Sequence, residues 1–359
     1  MIRFIMKRFF YGILVLFGVL TVVFMLFAIL PGDPARMITG QHADQETIKN
    51  IRKELGLDKP IFKQYLFYIN DVSPVSIHFA TDFDNSWTFF NKKYGKTLPL
   101  IKTSEMQMVV KKPYLRQSWQ SKRSVMDVLA EAFPKTILLA VVSILFAMVA
   151  GVGIGAFVAM TDNKIVNRLV IIITVFGMSL PSFFAAILIA WVFAFLLADY
   201  TGLSMFGSLY SVDHYGNGSY LDLKNLILPA FTLGIRPLAI VTELTRTSLS
   251  EVLSQDYIRT AYAKGLKKTR IILFHALRNA LNPVVTAVSG WFASLLAGAV
   301  FVEYVFDWKG IGVVIVDALE KFDLPVLMGS VLMIAFMLII INIFVDIVYG
   351  FLDPRIRIA

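Results

Sequence analysis

Apolar positions in this chain gather into long runs, and nearly all the charge sits in the stretches between them. An α-helix rises ~1.5 Å per residue, so about 20 apolar residues cross a hydrocarbon core of ~30 Å. Six runs meet or approach that length: Phe9 to Leu30, Ile137 to Met160, Leu169 to Ala198, Leu226 to Thr242, Pro283 to Val302 and Leu324 to Val345. The third is long enough to tilt or to run past the membrane, and "SLPSFF" (Ser179 to Phe184) places Pro181 inside it, which predicts a kink. The fourth, "LILPAFTLGIRPLAIVTEL", carries Arg236 near its middle and Glu243 at its end. Pro229, Gly234 and Pro237 act there as breakers that let a helix bend and free carbonyls for water or neighbours. The first run follows Arg3, Lys7 and Arg8 in the manner of a signal peptide. It is longer than the ~7–15-residue signal core, and no small-x-small cleavage site precedes "PGDP", so a retained span is expected. The pattern predicts an all-α integral membrane protein with six transmembrane helices.

Lys and Arg close to span ends set orientation. They fall at the N-terminus, in the turn from Thr161 to Arg168 (Lys164, Arg168), in the Leu244 to Asn279 loop, and in the tail "DPRIRIA" (Arg355, Arg357). With six spans these segments share one side, so both termini are expected in the cytoplasm. Pro31 to Glu131, Asp199 to Asn225 and Glu303 to Asp323 are then outside. The organisation expected is 1–30 as cytoplasmic residues and first helix, 31–131 as an external segment, and 132–359 as the core transmembrane region. Within these, 244–282 reads as a cytoplasmic loop. "DQETIKNIRKELG" predicts a short helix capped by Asp44, and Val72 to Lys122 reads as irregular.

The composition, 57% hydrophobic and 16% charged, agrees with a membrane protein. Without cysteine there is no disulfide, zinc-thiolate site, iron–sulfur cluster or thiol nucleophile. The net charge of +9 is accounted for by basic span flanks and membrane lipid, and no pattern for binding nucleic acid accompanies it. No G-x-x-x-x-G-K-[ST] occurs, so ATP is not expected to be hydrolysed by this chain alone. His42, His78, His214 and His275 are scattered and H-E-x-x-H is absent, which argues against a metalloenzyme. "GVGIG" (Gly151 to Gly155) lies within an apolar run and predicts close helix packing rather than a nucleotide loop.

The stretch "DYIRTAYAKGLKKTRIILFHALRNALNPVV" (Asp256 to Val285) is basic and helix-forming between two apolar runs. Tyr257, Ile258, Ala261 and Tyr262 recur at helical spacing on one face, with Ser254 or Asp256 as cap and Gly265 as a left-handed terminator. A second helix begins near Thr269, and Asn282-Pro283 breaks it. Such a unit is either an amphipathic helix on anionic lipid or a knob for a partner.

The same stretch resembles the signature loop of ABC importer permeases, commonly written EAA, three residues, Gly, nine residues, Ile-x-Leu-Pro. Arg259-Thr260-Ala261 stand at the EAA positions, Gly265 at the glycine, and His275 to Arg278 at the end. "DYIRTAYAKGL" followed by "HALRNAL" resembles the dipeptide and oligopeptide permease branch more closely. So do "LPGDP", "ELGLDKP", "LPAFTLG", "FDWKGIG" and "VDIVYGFLDPRIR". Lys309 departs from the usual proline, and the 72–122 insert lacks the usual Gly-x-Ser pattern, so nothing is carried onto it.

The resemblance implies the type I permease fold with a large external segment between the first two helices, in the bacterial inner membrane. It implies a second homologous permease, two cytoplasmic ATPase subunits that bind ATP and Mg, an external substrate-binding protein, and a di- or oligopeptide substrate. No cofactor is expected on this chain. Nickel or glutathione import is the alternative within the family, and a secondary transporter the alternative outside it. Asp256, Tyr257, Arg259, Thr260, Ala261 and Gly265 would form the coupling helix that docks on an ATPase.

Arg236, as a charge within a span, fits a wall of the translocation pathway, a structural pair with Glu243, or snorkelling. Glu243 and Pro181 are the further pathway candidates. Asp33, after the first span, is a candidate for the external gate or a turn cap.

Overall fold

The structure is a computed structural model that describes residues 2–29, 35–36, 44–54, 56–79, 94–161, 163–212 and 218–352. Among them, helices α1 (Ile2–Ile29), α2 (Gln45–Glu54) and α3 (Ile61–Val72) precede a sheet of β1 (Val75–Phe79), β2 (Leu98–Lys102) and β3 (Met106–Val110). Then come α4 (Val125–Ala159), α5 (Lys164–Ser179), α6 (Ser182–Leu196), a hairpin of β4 (Tyr210–Val212) and β5 (Ser219–Leu221), and α7 (Ile227–Leu253). The chain continues through α8 (Asp256–Ala263), α9 (Lys268–Ala280), α10 (Asn282–Val305), α11 (Ile311–Glu320) and α12 (Leu324–Leu352).

Among the described residues, four helices are long and apolar enough to cross a membrane, and two bent pairs bring the number to six if each pair is one span. The third run is not one continuous helix. α5 and α6 meet at 111°, because Leu180 and Pro181 are both extended, with ψ of 130° and 138°. Proline lacks an N–H and disfavours helical geometry in the residue before it, so the helix stops at Ser179 and restarts at Ser182. The fifth run also starts with a bend, 49° between α9 and α10, with Pro283 in the first turn of the new helix.

The fourth run departs from expectation in the opposite direction. α7 stays one helix through Gly234 and Pro237. Pro229 lies in its first turn, where N–H groups have no helical acceptor in any case. α7 is also the most enclosed of the four continuous spans: 61% of its apolar window is buried, against 22% for α1. Glycines make that possible. A Cβ on Gly151 would lie 2.8 Å from Val241 Cγ1, one on Gly155 2.5 Å from the Thr242 carbonyl, and one on Gly234 2.9 Å from the Ser143 carbonyl. "GVGIG" therefore works as a close-packing seam, with Gly153 facing open space.

The chain divides into two compact units. One comprises residues 132–313 and 337–359. Its core joins Leu139, Ile144, Ala186, Leu233, Leu296, Phe306 and Trp308, and a second cluster surrounds Leu249 and Ile258. The other comprises residues 2–131 and 314–336, with Leu20, Phe24, Tyr68, Leu129 and Leu327 at its centre. There Phe24 stacks on Tyr68 at 5.8 Å, and the Thr21 and Tyr65 hydroxyls lie 2.6 Å apart.

Two expectations for the 31–131 segment have definite outcomes. Asp44 caps α2, accepting from the Thr47 N–H at 3.2 Å, and these Thr47 bonds hold its carboxyl below the usual value. The stretch 72–122, by contrast, is not irregular throughout. It holds a three-stranded antiparallel sheet in the order β1–β3–β2. β1 buries Ser76 and His78 while β2 is exposed along its whole length, so no shared alternation marks the strands.

Candidate functional site: a loop helix and a polar stripe on α7

The 244–282 loop folds as α8, a glycine turn and α9. Gly265 takes φ +75°, and its N–H bonds to the Tyr262 carbonyl at 2.9 Å, which ends α8 in the left-handed conformation expected there. The start differs from expectation. Gln255 occupies the N-cap without a side-chain bond. Ser254 still belongs to the end of α7, its hydroxyl donating to the Glu251 carbonyl at 2.7 Å, and the Asp256 carboxylate lies 3.4 Å from Arg259 instead.

α8 has two unlike faces. Ile258, fully buried, and Ala261 sit one turn apart and join Leu249 of α7 with Ile271, Ala276 and Ala280 of α9. Tyr257, Arg259, Thr260, Tyr262 and Lys264 point outward. The apolar face read from the sequence is thus split: Ile258 and Ala261 fasten the helix down, and the two tyrosines remain on show. Tyr257 is further held by Asn279, whose amide donates to its hydroxyl at 2.9 Å. Of the six residues assigned to docking, Asp256, Tyr257, Arg259 and Thr260 present side chains, Ala261 is a core contact, and Gly265 shapes the turn.

The pathway candidates lie in the same unit. Arg236 is exposed on α7, and its Nε and Nη2 each lie 3.4 Å from the Met178 carbonyl at the end of α5. The pair with Glu243, one of the three alternatives for Arg236, does not form. Glu243 takes both guanidinium contacts of Arg246, at 2.5 and 3.1 Å, and the Thr247 hydroxyl at 3.3 Å. Two turns of helix separate Arg236 from Glu243, and a partner one turn away wins. Pro181 stands exposed at the α5–α6 break. Arg236, Ile240, Glu243, Thr247 and Ser250 recur at steps of four and three along one exposed or half-exposed stripe of α7. Asp33 lies outside the described residues.

Glu303 is expected outside the membrane and without a role. It is completely buried at the end of α10. Its Oε2 accepts from the Gly312 N–H at 2.6 Å, its Oε1 has no hydrogen-bond partner among the described residues, and the Thr136 hydroxyl accepts from the Ile311 N–H at 2.9 Å. The Trp308 N–H bonds the Glu303 carbonyl at 2.8 Å, and its indole N–H reaches the Lys135 carbonyl at 3.0 Å. Gly310 and Gly312 are required beside it, since a Cβ on either would meet the carboxylate at 2.3–2.7 Å. The available signal was an acid closing an apolar run and followed by Gly-x-Gly. Among the described residues, no group of three His, Asp or Glu side chains converges to hold a metal.

Residues 151–358 match the family described as binding-protein-dependent transport system inner membrane component, and residues 1–83 match its N-terminal counterpart. The glutathione transport system permease protein GsiC of Escherichia coli strain K12 is 35% identical over 357 residues, covering 99% of each chain. The di/tripeptide transport system permease protein DppB of Pseudomonas aeruginosa strain UCBPP-PA14 is 32% identical over 374 residues, again covering 99% of each. A solved chain of the MetNI methionine ABC transporter, in an inward-facing conformation, is similar at 16% identity with a TM-score of 0.49. That likeness covers 64% of this chain and 97% of that one.

Proposed function

Because this chain belongs to the family of binding-protein-dependent transport system inner membrane components, and is thus a permease subunit of an ABC importer, we propose that it carries di- or oligopeptides inward. In this reading it works with a second, similar permease, two cytoplasmic ATPase subunits and an external binding protein, and both termini face the cytoplasm. ATP and Mg belong to the ATPase subunits. Relatives named for di/tripeptide and glutathione transport support a peptide-like cargo. Glutathione stands as the second reading, favoured by the 35% relative.

One observation carries the mechanism: Ile258 and Ala261 fix α8 to Leu249 at the base of α7, while Tyr257 and Tyr262 remain exposed. A partner groove that grips the tyrosines therefore pulls on α7 directly. Aromatic anchors on a short rigid helix suit a pocket, and close packing transmits displacement instead of absorbing it. ATP-driven closure of the ATPase pair would then move the helix that carries Arg236 and Glu243, alternating access along the polar stripe. Lys264, Lys267, Lys268 and Arg270, all exposed, serve lipid headgroups or an acidic rim of the partner.

The test is Arg259→Glu combined with Tyr257→Ala in the reconstituted complex. Peptide uptake per ATP hydrolysed should fall while the protein still inserts. Undiminished coupled uptake would sink the docking assignment.

A further inference from the structure

Resting on the peptide-import reading, we infer that Arg236 receives a carboxylate of the cargo midway through the membrane, so that the permease itself favours an anionic end over a neutral one. Arg236 is exposed on the most enclosed of the four continuous spans. Its orientation is set by the broken helix beside it. In an unbroken α5 the Met178 carbonyl would accept from the N–H of residue 182, and the extended Leu180 and Pro181 remove that bond. Arg236 supplies the missing donors through Nε and Nη2. The end of the fork formed by Nη1 and the second Nη2 proton is left for another acceptor.

The Met178 carbonyl is neutral and leaves the positive charge uncompensated. No carboxylate among the described residues pairs with Arg236, since Glu243 is committed to Arg246 and Thr247. A lone cation in a span is costly and marks a pathway or a missing counter-ion. The stripe that starts at Arg236 and runs through Glu243, Thr247 and Ser250 extends over about 21 Å of helix, by the rise of ~1.5 Å per residue. A stripe of that length is longer than a point contact with one neighbouring side chain needs. A planar fork with one edge already fixed is suited to a carboxylate.

The experiment uses the complete transporter in liposomes, driven by ATP, with its binding protein saturated in turn by a dipeptide and by the same dipeptide amidated at its C-terminus. The wild type should take up the free acid about ten-fold faster or more, the scale of a hydrogen bond to a charged group. Arg236→Gln should bring that ratio close to one, and Arg236→Lys, which keeps charge but not the fork, should leave an intermediate ratio. Where Arg236→Gln fails to assemble with the ATPase subunits, the Arg236→Lys ratio decides. An unchanged ratio, or an equal fall for both peptides, would overturn the inference and leave peptide import standing. Rescue of Arg236→Glu by a basic residue in the second permease would also overturn it, assigning Arg236 to the subunit interface. Wild-type uptake of neither peptide, with ATP-driven uptake of another cargo, would overturn the peptide reading instead.

Discussion

The Asn279 side-chain amide donates to the Tyr257 hydroxyl at 2.9 Å, joining the outward face of α8 to α9 across 22 positions of chain. In the proposed docking on an ATPase subunit, the bond fixes one aromatic before the partner arrives. Removing it with Asn279→Ala forfeits about 0.5–1.5 kcal/mol of that ordering, or roughly 2–10-fold in affinity for the ATPase subunits. Titrating the ATPase onto the permease in nanodiscs measures it. Equal affinity would mean that Tyr257 does not need to be held.

The two faces of α8 should separate in mutagenesis. Ile258 is fully buried, so Ile258→Ala should destabilise by about 2–5 kcal/mol and lower the thermal midpoint in detergent. Tyr262 is 45% exposed, so Tyr262→Ala should stay within about 0.5 kcal/mol of wild type while reducing uptake per ATP. A large stability loss at Tyr262, with coupling intact, would reverse the assignment of faces.

The glycine seam makes a sharper contrast within five residues. Gly155→Ala places a methyl 2.5 Å from the Thr242 backbone, where neither atom is the end of a flexible side chain, and should cost about 1–3 kcal/mol. Gly153→Ala meets nothing within 4 Å and should be neutral or slightly stabilising. Thermal melts of the two variants in one detergent give the comparison, and equal midpoints would contradict the packing of α4 on α7.

Alkaline pH should unfasten the 31–131 segment. Burial, reinforced by the Asp71 carboxylate, pushes the Tyr94 phenol well above its usual value, and burial does the same to Tyr68 and Tyr114. The Tyr94 O–H donates to Asp71 at 2.9 Å, which the phenolate cannot do. A folded-state pKa raised above the unfolded value means stability fully present below about pH 10 and lost as pH rises beyond it. The melting temperature should fall above that pH, and less steeply in Tyr94→Phe. An identical slope in the variant would remove Tyr94 from the account.

Much of this was legible because the governing forces are local. Runs of about 20 apolar residues report a bilayer whatever their neighbours, and Gly265, Pro181 and Pro283 act through their own backbone chemistry. What escaped depends on tertiary partners. Ile258 and Tyr257 are adjacent and both apolar, and only the positions of Leu249 and Ile271 decide which is buried. Pro237 looked like a breaker, yet close packing on both sides of α7 keeps the helix whole. The sheet in 72–122 hid because β2 is exposed on both faces and β3 carries the pairing. Glu303 looked solvated because an acid at the end of an apolar run usually is. Its burial follows from the Gly310 to Gly312 backbone folding over it, a turn that the Thr136 hydroxyl, far away in sequence, holds by accepting from the Ile311 N–H.

The chain contains no cysteine, so a single thiol can be placed without background. Thr260→Cys puts it on the outward face of α8. In intact cells it should resist a membrane-impermeant maleimide applied from outside, and in inverted vesicles it should label and cross-link to an ATPase subunit in a nucleotide-dependent way. Labelling from outside, or transport that continues with no ATPase within cross-linking reach, would contradict the central claim that α8 links this permease to its motor.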